Sequence, residues 1–405
     1  MKIVTASTSD GVYLDHNATT PVDPSLFELV PVWMSQFGNP SSIHQASRGP
    51  RTLIREARAK TAEALNVSPL EIVFNSGASE GNNTVIKSIW DRRGIERPEF
   101  LCSSVEHPSV IKAMQAIEKK GAIIRWIPVS KDGVLDLNFV KTHMSPKTAL
   151  VSIMSANNET GTLFPVAPIV EMAKIMGALV HSDCVQMFGK QSLDLKKLGV
   201  DYATFSGHKF YSVKGCGFMY IKKTAPLENL VDGGAQERFR RGGTENTIGI
   251  AAMGHMATTM ATMDLSTKLA EIGQMRDSME ARLLAQIPEL HITAQKSPRL
   301  TNTSHMMIAG IDAETLLINL DLDGFYVSTG AACSSGNPEP SPVLLAMGFT
   351  RNEAQTSLRV SLGWNSKPED LEKFVQRLSE TVARLRQMKS QMKRQVKKDL
   401  DNVTL

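Results

Sequence analysis

Asp201-Tyr202-Ala203-Thr204-Phe205-Ser206-Gly207-His208-Lys209 reads as a short buried strand that runs into a small-residue turn and stops at a lysine. Upstream, Ala178-Leu179-Val180-His181-Ser182-Asp183 is a second apolar run, and it stops at a carboxylate. Taken singly, each ending has an ordinary explanation: a surface lysine, or an aspartate that caps a helix. As a pair at the ends of successive strands they have a chemical one. A lysine amine can hold an aldehyde as a Schiff base, and an aspartate can keep a pyridine nitrogen protonated. Together they suit pyridoxal 5'-phosphate (PLP), whose ring then serves as an electron sink.

Working outward from this pair, residues 71–75, 100–104, 122–127 and 149–154 read as further strands. Helical spacing lies between them. Residues 51–66 place Leu53, Ile54, Ala57, Thr61, Ala64 and Leu65 on one face, and helices follow through Trp90, up to Lys120 and over 166–176. Such alternation predicts an α/β fold with an open, mostly parallel sheet and helices on both faces. Ligands in that architecture sit beyond the carboxyl ends of the strands. Gly77-Ala78-Ser79, His107, Asn158, Asp183 and Lys209 all fall at such ends or just after them. The turn Ser76-Gly77-Ala78-Ser79-Glu80-Gly81 can cradle a phosphate at a helix N-terminus, although Ser79 also fits an ordinary cap.

Residues 216–221 read as an antiparallel strand, 232–246 as a Gly- and Arg-rich loop, and 247–286 as one long, largely helical stretch. Met253, Met256, Met260 and Met263 are spaced for one core-facing stripe on it. Beyond it lie strands at 304–309 and 358–362, a helix over 313–322, a loop over 329–341 and a final helix from near Pro368. We expect a large domain over 16–262 and a smaller α+β domain from 1–15 and 263–405. The five Lys and Arg of 389–398 read as a solvated helix face.

The 405 residues are 42% hydrophobic and 21% charged, with a net charge of +4. That balance suits a large core and gives no argument for nucleic acid. The absence of a run of about 18 apolar residues argues against a membrane span, and the first ten residues lack a signal or transit pattern. The four cysteines, Cys102, Cys184, Cys216 and Cys333, are far apart and form no CxxC, which argues against zinc and disulfides. A cytoplasmic location is expected.

The chain resembles the PLP-dependent cysteine desulfurases, of the class V aminotransferase-like superfamily, that serve nitrogenase and iron–sulfur cluster assembly. The resemblance runs from Tyr13 to about Trp364. It rests on Tyr13-Leu14-Asp15 with Asn17-Ala18-Thr19-Thr20-Pro21, Phe37-Gly38-Asn39-Pro40-Ser41-Ser42, Glu106-His107, Asn157-Asn158-Glu159, Ser206-Gly207-His208-Lys209, Gly242-Gly243-Thr244-Glu245-Asn246 and Ala331-Ala332-Cys333-Ser334-Ser335. It implies the type I fold of PLP-dependent transferases. It also implies a homodimer that acts on L-cysteine and hands sulfur to an acceptor protein, with neither nucleic acid nor membrane as partner.

The family's roles transfer position by position. Lys209 would carry PLP, Asp183 would pair with its ring nitrogen, and His107 would stack on the ring and assist proton transfer. Asn158 and Gln186 would reach the ring hydroxyl or the substrate. Ala78, Ser79, Ser206 and His208 would hold the phosphate, with Gly77 and Gly207 in the same cofactor-binding set and Thr244 reaching in from the other subunit. Arg359 would clamp the substrate carboxylate. Cys333 would be the nucleophile, in a segment without bulky anchors, and a transient contact for iron or a cluster; no resident metal is expected. Cys102 and Cys216 fit the reading of a buried, inert thiol better.

Some positions depart from the family pattern. Ser79-Glu80-Gly81-Asn82 stands for Thr-Glu-Ser-Asp, Cys184 for alanine, and Tyr211-Ser212-Val213-Lys214-Gly215 for Tyr-Gly-Pro-Lys-Gly. After Cys333, Asn337-Pro338 precedes Glu339-Pro340-Ser341, and the tail beyond about Lys389 does not resemble the segment by which housekeeping members of the family engage their scaffold. Together these departures leave the chemistry intact but not the identity of the sulfur acceptor. The competing expectations are a selenocysteine lyase, a class V aminotransferase that does not need Cys333, and a non-enzymatic scaffold relative.

Overall fold

The computed structural model describes residues 11–329 and 339–403. Its centre is a seven-stranded sheet in the order Ile72–Asn75, Gly217–Ile221, Tyr202–Ser206, Leu179–Asp183, Thr148–Ser152, Glu99–Ser103, Ile123–Ile127. The five strands from Tyr202–Ser206 to Ile123–Ile127 run parallel. Gly217–Ile221 is antiparallel to both of its neighbours. It is not the edge, as Ile72–Asn75 pairs along its outer side.

Strand periodicity explains why helices cover both faces. Successive side chains point to opposite sides of a sheet. Val73, Phe100 and Cys102 therefore pack with Val85, Ile86, Ile89, Val110 and Met114 of the Ala78–Arg93 and Pro108–Glu118 helices. Phe74, Leu101, Val151, Val180 and Phe205 face the other core, with Ile54, Ala57, Ile169, Met253, Met256 and Met260. Every residue of the four central parallel strands is buried, as expected where both faces are covered.

The stretch over 247–286 is two helices, Thr247–Thr262 and Leu265–Gln286, not one. Asp264 makes the break: its side chain accepts from the Thr267 N–H at 3.1 Å and caps the second helix. Periodicity continues across such a cap, so the pattern alone reads as unbroken. Met253 and Met256 are fully buried in the first helix.

A second sheet, in the order Ser357–Ser361, Thr303–Ile308, Leu290–Ile292, is antiparallel throughout. It has its own core, where Met306, Leu358 and Val360 meet Ile272, Met279 and Leu283 of one helix and Phe374, Leu378 and Val382 of another, Pro368–Val403. The basic residues of the tail extend along this last helix. Near the N-terminus, Val12–Tyr13 pairs with Phe325–Tyr326, and Asp15 bridges to Ser361. No described helix is long and apolar enough to cross a membrane.

Candidate active site

The parallel strands end together, and a cavity of about 690 Å³ opens beyond those ends. Gly77, Ala78, Ser79, His107, Asn158, Asp183, Gln186, Ser206, His208, Lys209 and Arg359 all line it. Two predicted residues do not. Gly207 lies behind the wall, where a Cβ would stand 2.8 Å from Cys216 Sγ, so its place explains the glycine without ligand contact. Thr244 is exposed and lies off the cavity in this chain. Its loop is pinned below by Glu237, which takes two guanidinium bonds from Arg58 and one from the Phe74 N–H.

Lys209 closes a single helical turn, Gly207–Lys209, that begins where the Tyr202–Ser206 strand stops. Its Nζ donates to two main-chain carbonyls, Asn17 at 2.6 Å and Ala18 at 2.7 Å. Burial lowers its pKa to about 8, with Arg359 adding repulsion and Asp15 and Asp183 opposing it. About a tenth of the amine is therefore free base at pH 7. Tyr211, two residues on, holds a left-handed backbone at φ 64°. It is kept there by its N–H bond to Thr20 Oγ1 and by stacking on Trp364 at 3.9 Å.

Asp183 ends the neighbouring strand. Its Oδ1 accepts from the Val185 N–H at 3.0 Å and its Oδ2 from Asn82 Nδ2 at 2.8 Å. The same Asn82 amide donates to Ser109 Oγ at 2.9 Å, and Ser109 Oγ lies 2.8 Å from His107 Nδ1. His107 caps the Pro108–Glu118 helix by accepting the Ser109 N–H on Nδ1 at 3.2 Å. Its ring is open to the cavity, but the surrounding protein withholds water and lowers its proton affinity; Asp183 raises it and Lys209 lowers it further. Behind it, Glu106 is buried and pushed up to about 8, mainly by burial, and it accepts from Ser103 Oγ and the Met154 N–H.

The 16-residue helix Ala78–Arg93 starts at Gly77 with no capping side chain. Gly77, Ala78, Ser79 and Glu80 turn that uncapped N-terminus to the cavity, where its N–H groups and dipole favour an anion. Gly77 has φ 148°, and a Cβ there would come 3.3 Å from Ser206 Oγ, so a glycine is required beside the anion seat. His208 Nδ1 lies 3.2 Å from Thr19 Oγ1. Burial and the charges of Lys209, Lys214 and Lys190 lower its pKa to about 4, which keeps it neutral at ordinary pH.

Arg359 enters from the second sheet. Its Nη2 meets Asp15 Oδ1 at 2.6 Å and its Nη1 meets the Asn158 carbonyl at 3.0 Å, while its buried Nε has no partner among the described residues. Gln186 is less available than expected, because Nε2 donates to the Asn17 carbonyl at 3.0 Å and Oε1 accepts from Lys190 Nζ. Lys190 is buried and also donates to Asn17 Oδ1 at 3.0 Å; burial first, then Lys209 and Arg359, press its pKa far down. Asn82, Lys190 and the carbonyls of Asn17 and Ala18 were given no role in the sequence reading. The one signal available for Asn82 was its departure from the family's aspartate.

Cys333 lies outside the described residues. The other three cysteines are free and buried, and burial raises each thiol pKa, to about 12 for Cys184 and Cys216. Cys184, although next to Asp183 in sequence, faces Ser155 Oγ at 3.3 Å. Among the described residues no cluster of three or more His, Cys, Asp or Glu could hold a metal.

The donor set fits PLP. An uncapped helix N-terminus suits its phosphate, a buried carboxylate suits its ring nitrogen, and a lysine of lowered pKa suits its aldehyde, and all three line one cavity. The model of the class-V aminotransferase family matches residues 12–374. A cysteine desulfurase IscS of Dictyoglomus turgidum is 38% identical over 93% of this chain and 95% of its own length. Among solved structures, a NifS-like protein superposes with a TM-score of 0.86 at 34% identity, covering 92% of this chain and 99% of its own. A structure described as SspA in complex with cysteine superposes at 0.76 with 28% identity, covering 86% and 98%. With its fold, strand-end cavity and near full-length matches, the chain belongs to the class-V aminotransferase family, among its cysteine desulfurases.

Proposed function

We propose that this protein is a PLP-dependent cysteine desulfurase that converts L-cysteine to L-alanine and leaves the sulfur as a persulfide on Cys333. The observation that carries the reading is the convergence of Lys209, Asp183, His107 and Arg359 on one cavity that an uncapped helix N-terminus also lines. PLP, when bound, supplies an electron sink for the carbon next to the amino group.

The chain's own groups do the rest. Asp183 holds the ring nitrogen protonated, and Ser79, Ser206, His208 and the N–H groups after Gly77 seat the phosphate. Arg359 orients the substrate by its carboxylate, using the Nη1 and Nη2 protons not spent on Asn158 and Asp15. Lys209, part free base near neutral pH, takes the α-proton on Nζ, with His107 as its partner in proton movement. The Cys333 thiolate attacks the substrate sulfur. An S–S bond forms as the C–S bond breaks, the electron pair stays with that carbon, a proton delivered there makes the methyl group, and the α-proton returned from Lys209 Nζ completes alanine.

The same reading makes the protein a cytoplasmic homodimer that divides near residue 263 and hands sulfur to an acceptor protein. Exposed Phe27, Met34, Phe37, Ile43 and Phe239 supply apolar surface for a second copy, and Thr244 is exposed on the loop that carries Phe239. Cysteine turnover by Cys333→Ala tests the nucleophile. The variant should keep the absorbance of bound coenzyme and release no alanine; full turnover would refute the assignment.

A further inference from the structure

Asp183 and His107 come from different elements, yet one side chain ties them together. Asn82 sits in the second turn of the Ala78–Arg93 helix and is fully buried. A carboxamide has two N–H donors. Here one goes to Asp183 Oδ2 at 2.8 Å and the other to Ser109 Oγ at 2.9 Å, while Oδ1 accepts from Thr204 Oγ1 at 2.6 Å. The orientation of the amide is not arbitrary. A flipped amide would set its oxygen against the Asp183 carboxylate, acceptor against acceptor.

The arrangement then runs in one direction. Ser109 Oγ accepts a hydrogen bond from Asn82, so its own hydroxyl proton is free to point at His107 Nδ1, 2.8 Å away. The Ser109 main-chain N–H points at the same nitrogen from 3.2 Å. With two donors converging on Nδ1, the neutral imidazole carries its proton on Nε2.

We propose that Asn82 is a positioning residue that sets two groups of the coenzyme site from a single amide, anchoring the Asp183 carboxylate through one N–H and selecting the Nε2-protonated tautomer of His107 through the other. This rests on the coenzyme reading above. Aspartate at 82 could supply at most one donor, so it could serve one arm but not both. Alanine would supply neither.

The test uses the full-length protein with Asn82→Ala, Asn82→Asp and Ser109→Ala. Long-range nitrogen–proton NMR on coenzyme-free protein reads the His107 tautomer. Binding of PLP against its analogue with carbon in place of the ring nitrogen reads the Asp183 arm. In Asn82→Ala the tautomer ratio should fall roughly five- to tenfold, and the preference for PLP over the analogue about tenfold or more. Asn82→Asp should lose one of the two effects. Ser109→Ala should shift the tautomer and leave the coenzyme preference intact.

Both readouts within about twofold of wild type in the Asn82 variants would overturn the proposal. Should those variants not fold, an unchanged tautomer in Ser109→Ala overturns it instead. A wild-type protein that does not distinguish PLP from the analogue would sink the coenzyme reading, while the tautomer comparison would still decide the role of Asn82 toward His107.

Discussion

Arg359→Lys should raise KM for cysteine strongly while changing kcat little. The guanidinium has five N–H donors in a planar fork. Two bonds are committed inside the protein, to Asp15 Oδ1 at 2.6 Å and to the Asn158 carbonyl at 3.0 Å, which leaves one proton on each of Nη1 and Nη2. The uncommitted protons can still grip a carboxylate with two prongs. Lysine has three donors at one point. Once it satisfies the same two protein acceptors, one donor remains for the substrate. Losing one of two charged hydrogen bonds costs about 1.5–3 kcal/mol, or roughly ten- to 150-fold in kcat/KM. The loss falls on KM because the carboxylate is not a reacting bond. Alanine release at varied cysteine concentration measures it, and cysteamine, which lacks the carboxylate, is the control. A KM within about threefold of wild type, or an equal loss with cysteamine, would refute the clamp.

Two further outcomes concern pH. The rate at which coenzyme-free protein takes up PLP should rise with pH with a midpoint near 8 and level off about a unit above it, because burial holds the Lys209 amine at about 8, well below an ordinary lysine. Stopped-flow absorbance would show this, and a midpoint near that of free lysine would contradict the geometry. Glu159 is buried and raised from 4.5 to about 7, chiefly by burial and against the pull of Ser341 and Arg359. A carboxyl whose folded pKa is raised gives stability that is complete below its unfolded value and is lost as pH rises to the folded one. Glu159→Gln should therefore remove a decline in stability between about pH 4.5 and 7, worth up to about 3 kcal/mol. Thermal unfolding across that window checks it, and parallel curves for the two proteins would disprove the burial argument.

The strand ends were legible because the alternation of apolar runs and helical spacing reports burial along the chain. Asp183 and Lys209 follow such runs, and the structure sets both on the cavity. The break at Asp264 was missed because a capping side chain interrupts a helix without disturbing its apolar period. The commitment of Gln186 to the Asn17 carbonyl was equally hidden, as partners 169 residues apart leave no local trace.

By itself, the order of residues determined which groups could do chemistry and that they would gather at one edge of a parallel sheet. A run of fully buried residues can end only where the chain leaves the core, and there polar side chains become useful. Only the tertiary structure decided how those groups are held. Arg359 meets Asp15 across 344 residues, and Asn82 reaches Asp183 across 101. Such bonds depend on which helix packs over which strand, and no repeat in the sequence records that.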